Sequence, residues 1–250
     1  MKILVENVSF QSDGNTILGR LYRPEKLDTK APTVVMSHGY PGDTKNLDLA
    51  EELAMSGYVT LVYFYQGAWG SGGKYSLIKL EENAHDAIEY ALSLPFVDSK
   101  KLAIIGHSMG AVPVSKTISI DKRIKTAIFL SPATNFRKFI LSRGKRKNLN
   151  HLLRMGKGKL NALNRKDLQK ELKWVYKNSN PLDSIKKSSI PILVIVGSKD
   201  DMTPPKSCKL LFNRANEPKE FKEIEGADHT FSRHRYLLID DTLGWLKKYL

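Results

Sequence analysis

Residues 102–110, Leu-Ala-Ile-Ile-Gly-His-Ser-Met-Gly, constrain this chain more than any other stretch. A short apolar run leads into Gly106-His107-Ser108-Met109-Gly110, and the helix-compatible segment Ala111 to Ser119 follows. A strand that turns sharply into a helix at G-x-S-x-G is the context in which that pattern holds a nucleophile. So tight a turn is crowded by neighbouring backbone on both sides. Gly106 and Gly110 remove the Cβ atoms that would clash there. The turn lifts the Ser108 hydroxyl above the sheet, at the positive end of the following helix. Taken alone, the five residues also fit an ordinary glycine turn, so the rest of the chain must decide.

Around this junction, short apolar runs alternate with helical periodicity. Ala31–Met36, Tyr58–Tyr65, Thr126–Leu130, Ile190–Gly197 and a stretch around 221–224 read as strands. Between them, Leu49, Ala50, Leu53 and Ala54 mark a helix stopped by Gly57. Leu77, Leu80, Ala84, Ala87, Ile88 and Ala91 mark a longer one ending at Pro95. Further helices are expected around 206–214 and, at the end, through Leu238, Thr242, Trp245 and Tyr249. Ser12-Asp-Gly-Asn15 carries the Asp-Gly signature of a hairpin turn. Strands apolar on both sides, alternating with helices, predict an α/β fold with a mostly parallel sheet covered on both faces.

The alternation pauses between Ala133 and Ile190. This stretch holds 16 Lys and Arg against 3 Asp and Glu, whereas the remainder holds 24 against 23. The chain thus divides into a nearly neutral core, 1–132 and 191–250, and a basic insert, 133–190. Phe139, Leu141, Leu149, Leu152, Leu153, Leu160 and Leu163 punctuate the insert, and Leu168, Leu172 and Val175 share a helix face beside Trp174. It reads as a small helical cap with its apolar residues turned towards the sheet. The charge either solvates an exposed face or attracts anionic substrates or membrane surfaces. Arg146 and its neighbours lack aromatic interleaving or a nucleic-acid-binding pattern, so no nucleic acid partner is expected.

No run approaches eighteen apolar residues, and the apolar stretch after Met1 is too short for a signal peptide, so a cytoplasmic protein without a transmembrane segment is expected. The single cysteine, Cys208, excludes an internal disulfide and a cysteine-rich metal site, and is expected to be a half-buried packing residue. No cofactor or metal is expected. A homodimer is compatible with the sequence.

Sites in such sheets form at the carboxyl ends of the strands. Four stretches fall there: His38-Gly39-Tyr40, Gly106–Gly110, Gly197-Ser-Lys-Asp200 and Gly226-Ala-Asp-His229. A serine nucleophile needs a base, and the base needs an acid that fixes its tautomer. Ser108, Asp200 and His229 supply these roles in the chain order Ser…Asp…His. Together, Gly-His-Ser-Met-Gly, His-Gly-Tyr, Gly-Ser-Lys-Asp-Asp-Met-Thr-Pro and Gly-Ala-Asp-His-Thr-Phe resemble the four signature loops of the α/β-hydrolase superfamily. The nearest resemblance is to small feruloyl and cinnamoyl esterases and the prolyl-oligopeptidase catalytic domain.

The resemblance implies Ser108 as nucleophile and His229 as base. Asp200, three residues after the strand-ending glycine, is its partner rather than Asp201. His229 lies in the loop before a helix, which sets it apart from His234. The backbone N–H groups of Met109 and Tyr40 would form the oxyanion hole. His107 and His85 are expected to be structural. His38 is expected to fix its loop by hydrogen bonding, and His38, Trp69 and Trp174 are candidates for lining the pocket. Trp69 is equally compatible with a packed anchor, and the Tyr40 ring with pocket or solvent. Where relatives carry Arg-Gly, and Asp two positions earlier, this chain has Gln66-Gly67 and Phe64, which removes a supporting ion pair. The expected activity is that of a serine carboxylesterase on small or medium acyl esters. The alternatives are a peptidase with the same triad and a non-catalytic binding protein of this fold.

Overall fold

The computed structural model describes residues 2–250. Strands β1 (Ile3–Ser12) and β2 (Asn15–Pro24) form the expected hairpin. Asp13 and Gly14 make its turn with φ of 50° and 69°, the left-handed pair whose twist matches that of the strands. Then come β3 (Ala31–Ser37), β4 (Val59–Tyr63), β5 (Val97–His107), β6 (Ile124–Leu130), β7 (Ile192–Gly197) and β8 (Lys219–Ile224). They join one sheet in the order β1-β2-β4-β3-β5-β6-β7-β8. The β1–β2 and β2–β4 pairs are antiparallel, and every pair from β4 onward is parallel.

Side chains alternate across the central strands, and each set meets its own layer of helices. Leu102, Ile104, Ala127, Phe129 and Val194 face α2 (Leu80–Ser93), α3 (Ala111–Ile120) and α8 (Pro205–Arg214). Ala103, Ile105, Ile128, Leu130 and Leu193 face α1 (Leu47–Met55) and α9 (Arg235–Tyr249). Fully burying one such Leu or Ile is worth about 1.5–3 kcal/mol, so this two-sided pattern fixes the register of β5. That register sets the height of Ser108.

Several boundaries differ from the expectation by a few residues, two of them with a clear cause. Tyr65 leaves the sheet, because β4 stops at Tyr63 and the chain turns through Gly67 at φ 69°. Leu77 is buried but precedes α2; its N–H donates to Glu171 Oε2 at 2.7 Å instead of entering a helix.

Between β6 and β7 the chain forms α4 (Arg137–Ile140), α5 (Lys145–Gly156), α6 (Arg165–Asn178), α7 (Pro181–Ser184) and a 3₁₀ turn, Ile185–Lys187. Leu149, Leu152, Leu160, Leu168, Leu172 and Val175 are buried and continuous with the core around Tyr40 and Tyr75. Leu141 is an exception, 59% exposed just beyond the short α4. The segment is held down by specific bonds. Tyr40 Oη–H donates to the Leu152 carbonyl at 2.7 Å, and the Asn161 N–H to the Gly67 carbonyl at 2.7 Å. Glu171 accepts from Ser76 Oγ at 2.9 Å as well as from Leu77. The last part, α7 and the 3₁₀ turn, packs beside α3 and α8. Among the described residues, no helix is long and apolar enough to cross a membrane.

Candidate active site

Ser108 sits where β5 gives way to α3, with φ at +52°. A non-glycine residue in this region is strained, and such strain persists only where the surroundings enforce it. Here they do. A Cβ on Gly110 would lie 2.3 Å from the Ser37 carbonyl oxygen, and one on Gly106 would lie 2.7 Å from that of Gly110. One on Gly39 would lie 2.9 Å from the Cβ of Ser108 itself. The loop after β3 and the elbow are thus pressed together, with glycine on both sides of the contact.

His229 follows β8, in the loop ahead of α9, and Asp200 follows β7. His229 Nδ1–H donates to Asp200 Oδ2 at 2.8 Å, both residues being buried. That bond occupies one ring nitrogen and leaves Nε2, on the far side of the imidazole, to act as a base. Burial acts to raise the Asp200 carboxyl. The His229 hydrogen bond and charge, with the further bond from the Thr203 N–H, outweigh it and hold Asp200 below the usual carboxylate range. Asp201 points elsewhere, exposed at the wall of the adjoining cavity. Of the two adjacent aspartates, Asp200 is the one joined to His229.

Two supporting groups complete the cluster. The Asp200 Oδ1 accepts from the N–H groups of Met202 and Thr203 at 2.9 and 2.7 Å, a local Asx-type turn. Thr203 Oγ1 lies 2.8 Å from Asp200 Oδ2, 3.0 Å from the Ser131 carbonyl oxygen and 3.1 Å from His229 Nδ1. Its hydroxyl braces the acid and its histidine together. Sequence reading passed over Thr203; its position three residues after Asp200, as in a capping turn, was the available signal. His107 is structural, as expected: its Nε2–H donates to the His229 carbonyl at 3.0 Å, tying the elbow to the histidine loop. His85 is exposed on α2. Cys208 is fully buried rather than half-buried, bonded through Sγ to the Thr203 carbonyl at 3.2 Å; burial pushes its thiol up to about 12.

A cavity of about 880 Å³ opens over Ser108 and Met109. Tyr40 lines it, with its ring buried rather than facing solvent, as do Phe136, Phe139 and Met155 from the basic insert. His38, Trp69 and Trp174 do not. His38 is buried under its loop, where Nδ1–H donates to the Gly39 carbonyl at 2.7 Å and Nε2 accepts from the Tyr65 N–H at 3.4 Å. Burial lowers its pKa to about 4, so it stays neutral. Trp69 is the packed anchor: its Nε1–H donates to the Pro41 carbonyl at 2.8 Å, and Lys45 Nζ lies 3.3 Å from its ring centroid. Trp174 packs against the core of the insert. Gln66 sits in a neutral network. Its N–H donates to Asn83 Oδ1 at 2.9 Å and its Nε2 to the Lys74 carbonyl at 2.8 Å.

Comparisons with known proteins bear on the family and the fold. Residues 53–250 match the model of the prolyl oligopeptidase family. A polyketide transferase, ATR5, from Stachybotrys chlorohalonatus is 26% identical, over 90% of this chain and 89% of that protein. A quorum-quenching protein, AidA, from Acinetobacter baumannii is 32% identical over 52% of this chain and 44% of its own length. Among solved structures, the α/β hydrolase GrgF from Penicillium sp. sh18 superposes with a TM-score of 0.77 at 22% identity, covering 98% of this chain and 99% of that one. Est1E from Butyrivibrio proteoclasticus gives 0.76 at 19% identity, covering 97% and 98%. These structural likenesses establish the fold, and the matched family model establishes descent: the chain is an α/β-hydrolase of the prolyl oligopeptidase family.

Proposed function

We propose that the chain is a serine hydrolase that cleaves carboxylic esters of small or medium acyl groups through an acyl-enzyme. The observation that carries this reading is the 2.8 Å bond from His229 Nδ1 to Asp200, at the same end of the sheet as a Ser108 held at positive φ. Ser108 Oγ attacks the ester carbonyl while His229 Nε2 takes its proton. Asp200 steadies the resulting imidazolium. The carbonyl oxygen becomes an oxyanion facing the backbone N–H groups of Tyr40 and Met109. Collapse expels the alcohol, protonated by His229, and leaves the acyl group on Ser108. Water, deprotonated by His229, then releases the acid.

Two relatives are named as a polyketide transferase and a thiohydrolase, and a hydrolytic reading of this chain is compatible with the second name. A peptidase holding a substrate amine needs carboxylates around its pocket. Here Arg143, Arg146, Lys147 and Arg154 line the cavity with Asp201 as the acidic member, which favours an ester. The test is covalent labelling by a fluorophosphonate, followed by turnover of p-nitrophenyl esters beside aminoacyl anilides. The expected result is labelling abolished by Ser108→Ala, with esters preferred. Labelling that survives in Ser108→Ala would remove the mechanism, and faster anilide cleavage would convert the reading to a peptidase.

A further inference from the structure

The positive charge of the insert separates into two populations. The cations of both groups are exposed, but those of α6, including Lys166, Lys170 and Lys173, are absent from the cavity wall. Those around α5 are different. Lys147, His151 and Arg154 follow one another at spacings of four and three residues, so they share a face of α5, and Arg143 stands in the turn just before it. That face, with Arg146, lines the cavity that also contains Ser108. The opposite face of α5 carries the buried Leu149 and Gly156, which hold the cationic face towards the cavity.

None of Arg143, Arg146, Lys147 and Arg154 forms an ion pair with a carboxylate among the described residues, although the surface of this protein pairs many of its other charges. The polar contact made by Arg154 is to His151 Nδ1, at 3.1 Å. Four cations facing one carboxylate, Asp201, across a cleft with apolar walls focus a positive potential into it. Phe136, Phe139 and Met155 supply the apolar surface beside them.

We infer that the substrate's acyl chain ends in an anionic group, which Arg143, Arg146, Lys147 and Arg154 bind while Ser108 acts on the ester carbonyl. This rests on the ester-hydrolase reading above. The dimensions suit a chain of several carbons. Leu152 is bonded to Tyr40 beside the elbow, and at 1.5 Å per residue Lys147 and Arg146 lie roughly 8–9 Å further along the helix axis.

The direct test compares two p-nitrophenyl esters of one medium-chain dicarboxylic acid, one with a free terminal carboxylate and one with that carboxylate as its methyl ester. The free carboxylate should have the higher kcat/KM. In the combined variant Arg143→Gln, Arg146→Gln, Lys147→Gln, the ratio of the two values should fall about tenfold, and the preference should shrink in 1 M salt, where the Debye length is about 3 Å. The control removes the same charge at the opposite end of the sheet, with Lys100→Gln, Lys101→Gln and Lys125→Gln, and should leave the ratio as in wild type. A third ester, uncharged on its acyl part but with a sulfonated nitrophenyl leaving group, places the charge on the alcohol. A preference seen for that ester alone would overturn the acyl-side assignment. A wild-type ratio near one, or an equal fall in the control, would overturn the proposal.

Binding separates this proposal from the mechanism. Calorimetry of Ser108→Ala with a medium-chain alkyl carboxylate and the matching alcohol needs no turnover. Tighter carboxylate binding that is lost in the Arg143, Arg146, Lys147 variant supports the anion site even where fluorophosphonate labelling fails. Equal affinity for both ligands overturns the anion site even where labelling succeeds.

Discussion

Acidification should weaken this fold through His107, and the size of the effect follows from its surroundings. The ring is buried between the elbow and the His229 loop. Its Nε2–H is used by the His229 carbonyl, and its Nδ1 has no hydrogen-bond partner. A second proton would therefore sit on a buried nitrogen with no acceptor, close to His229. Burial above all, and then the charge of His229, lower the pKa from 6.5 to about 3. Between these values the unfolded chain binds the proton and the folded one does not, so stability falls as pH drops through that window. At pH 5 the folded ring, with its pKa at about 3, is neutral, while pH 5 lies 1.5 units below the 6.5 midpoint of an unfolded histidine. At 1.36 kcal/mol per unit, this is a loss of about 2 kcal/mol relative to neutral pH.

The assay is urea unfolding at pH 7 and pH 5 of the wild type and of His107→Gln, which keeps an N–H donor and cannot titrate. Other groups cancel in the comparison, including Glu81, Glu171 and Asp241, whose carboxyls are raised by burial and oppose the trend. The wild type should lose about 2 kcal/mol more than the variant. Parallel losses would refute the argument that His107 is a neutral, closed-off histidine.

The fold was legible because its signals are local. The two-sided apolar runs of β3, β5, β6 and β7 have no other stable use than the middle of a covered sheet, and Gly106 and Gly110 announce the one turn that needs them. The Asp200–His229 bond was legible for the same reason, each residue standing just past a strand end. What escaped depends on contacts between distant segments. Trp69 and His38 lie on loops whose aromatic character suits a pocket wall, yet a bond to the Pro41 carbonyl and burial beside Tyr65 decide otherwise. The charge of α5 was visible as composition. Its orientation was not, since the face towards the cavity is set by where Leu149 and Gly156 find burial.

Asp200→Asn should lower kcat by about 10³–10⁴-fold in an ester assay, far more than Asp201→Asn, since an amide can hold the wrong imidazole tautomer; the reverse order would move the acid one residue along. Thr203→Val removes the one hydroxyl proton shared between the Ser131 carbonyl and Asp200, and should cost about 1–3 kcal/mol in urea unfolding together with part of kcat, both restored by Thr203→Ser. Glycine substitutions give a final test of whether the elbow is closed by steric contact. Gly110→Ala places a methyl 2.3 Å from the Ser37 carbonyl oxygen, backbone against backbone, so neither side can yield without moving β3 against β5. It should cost several kcal/mol, and activity with it. Gly244→Ala is the matched opposite: the position is inside α9, exposed, with nothing within 4 Å of the new methyl. Alanine there loses less backbone freedom on folding and should stabilise by about 0.4–1 kcal/mol. For a chain of this size that raises Tm by roughly 1–4 °C in a thermal melt. A Gly110→Ala protein as stable as Gly244→Ala would mean that the elbow is not pressed against the β3 loop, and the strain at Ser108 would lose its cause.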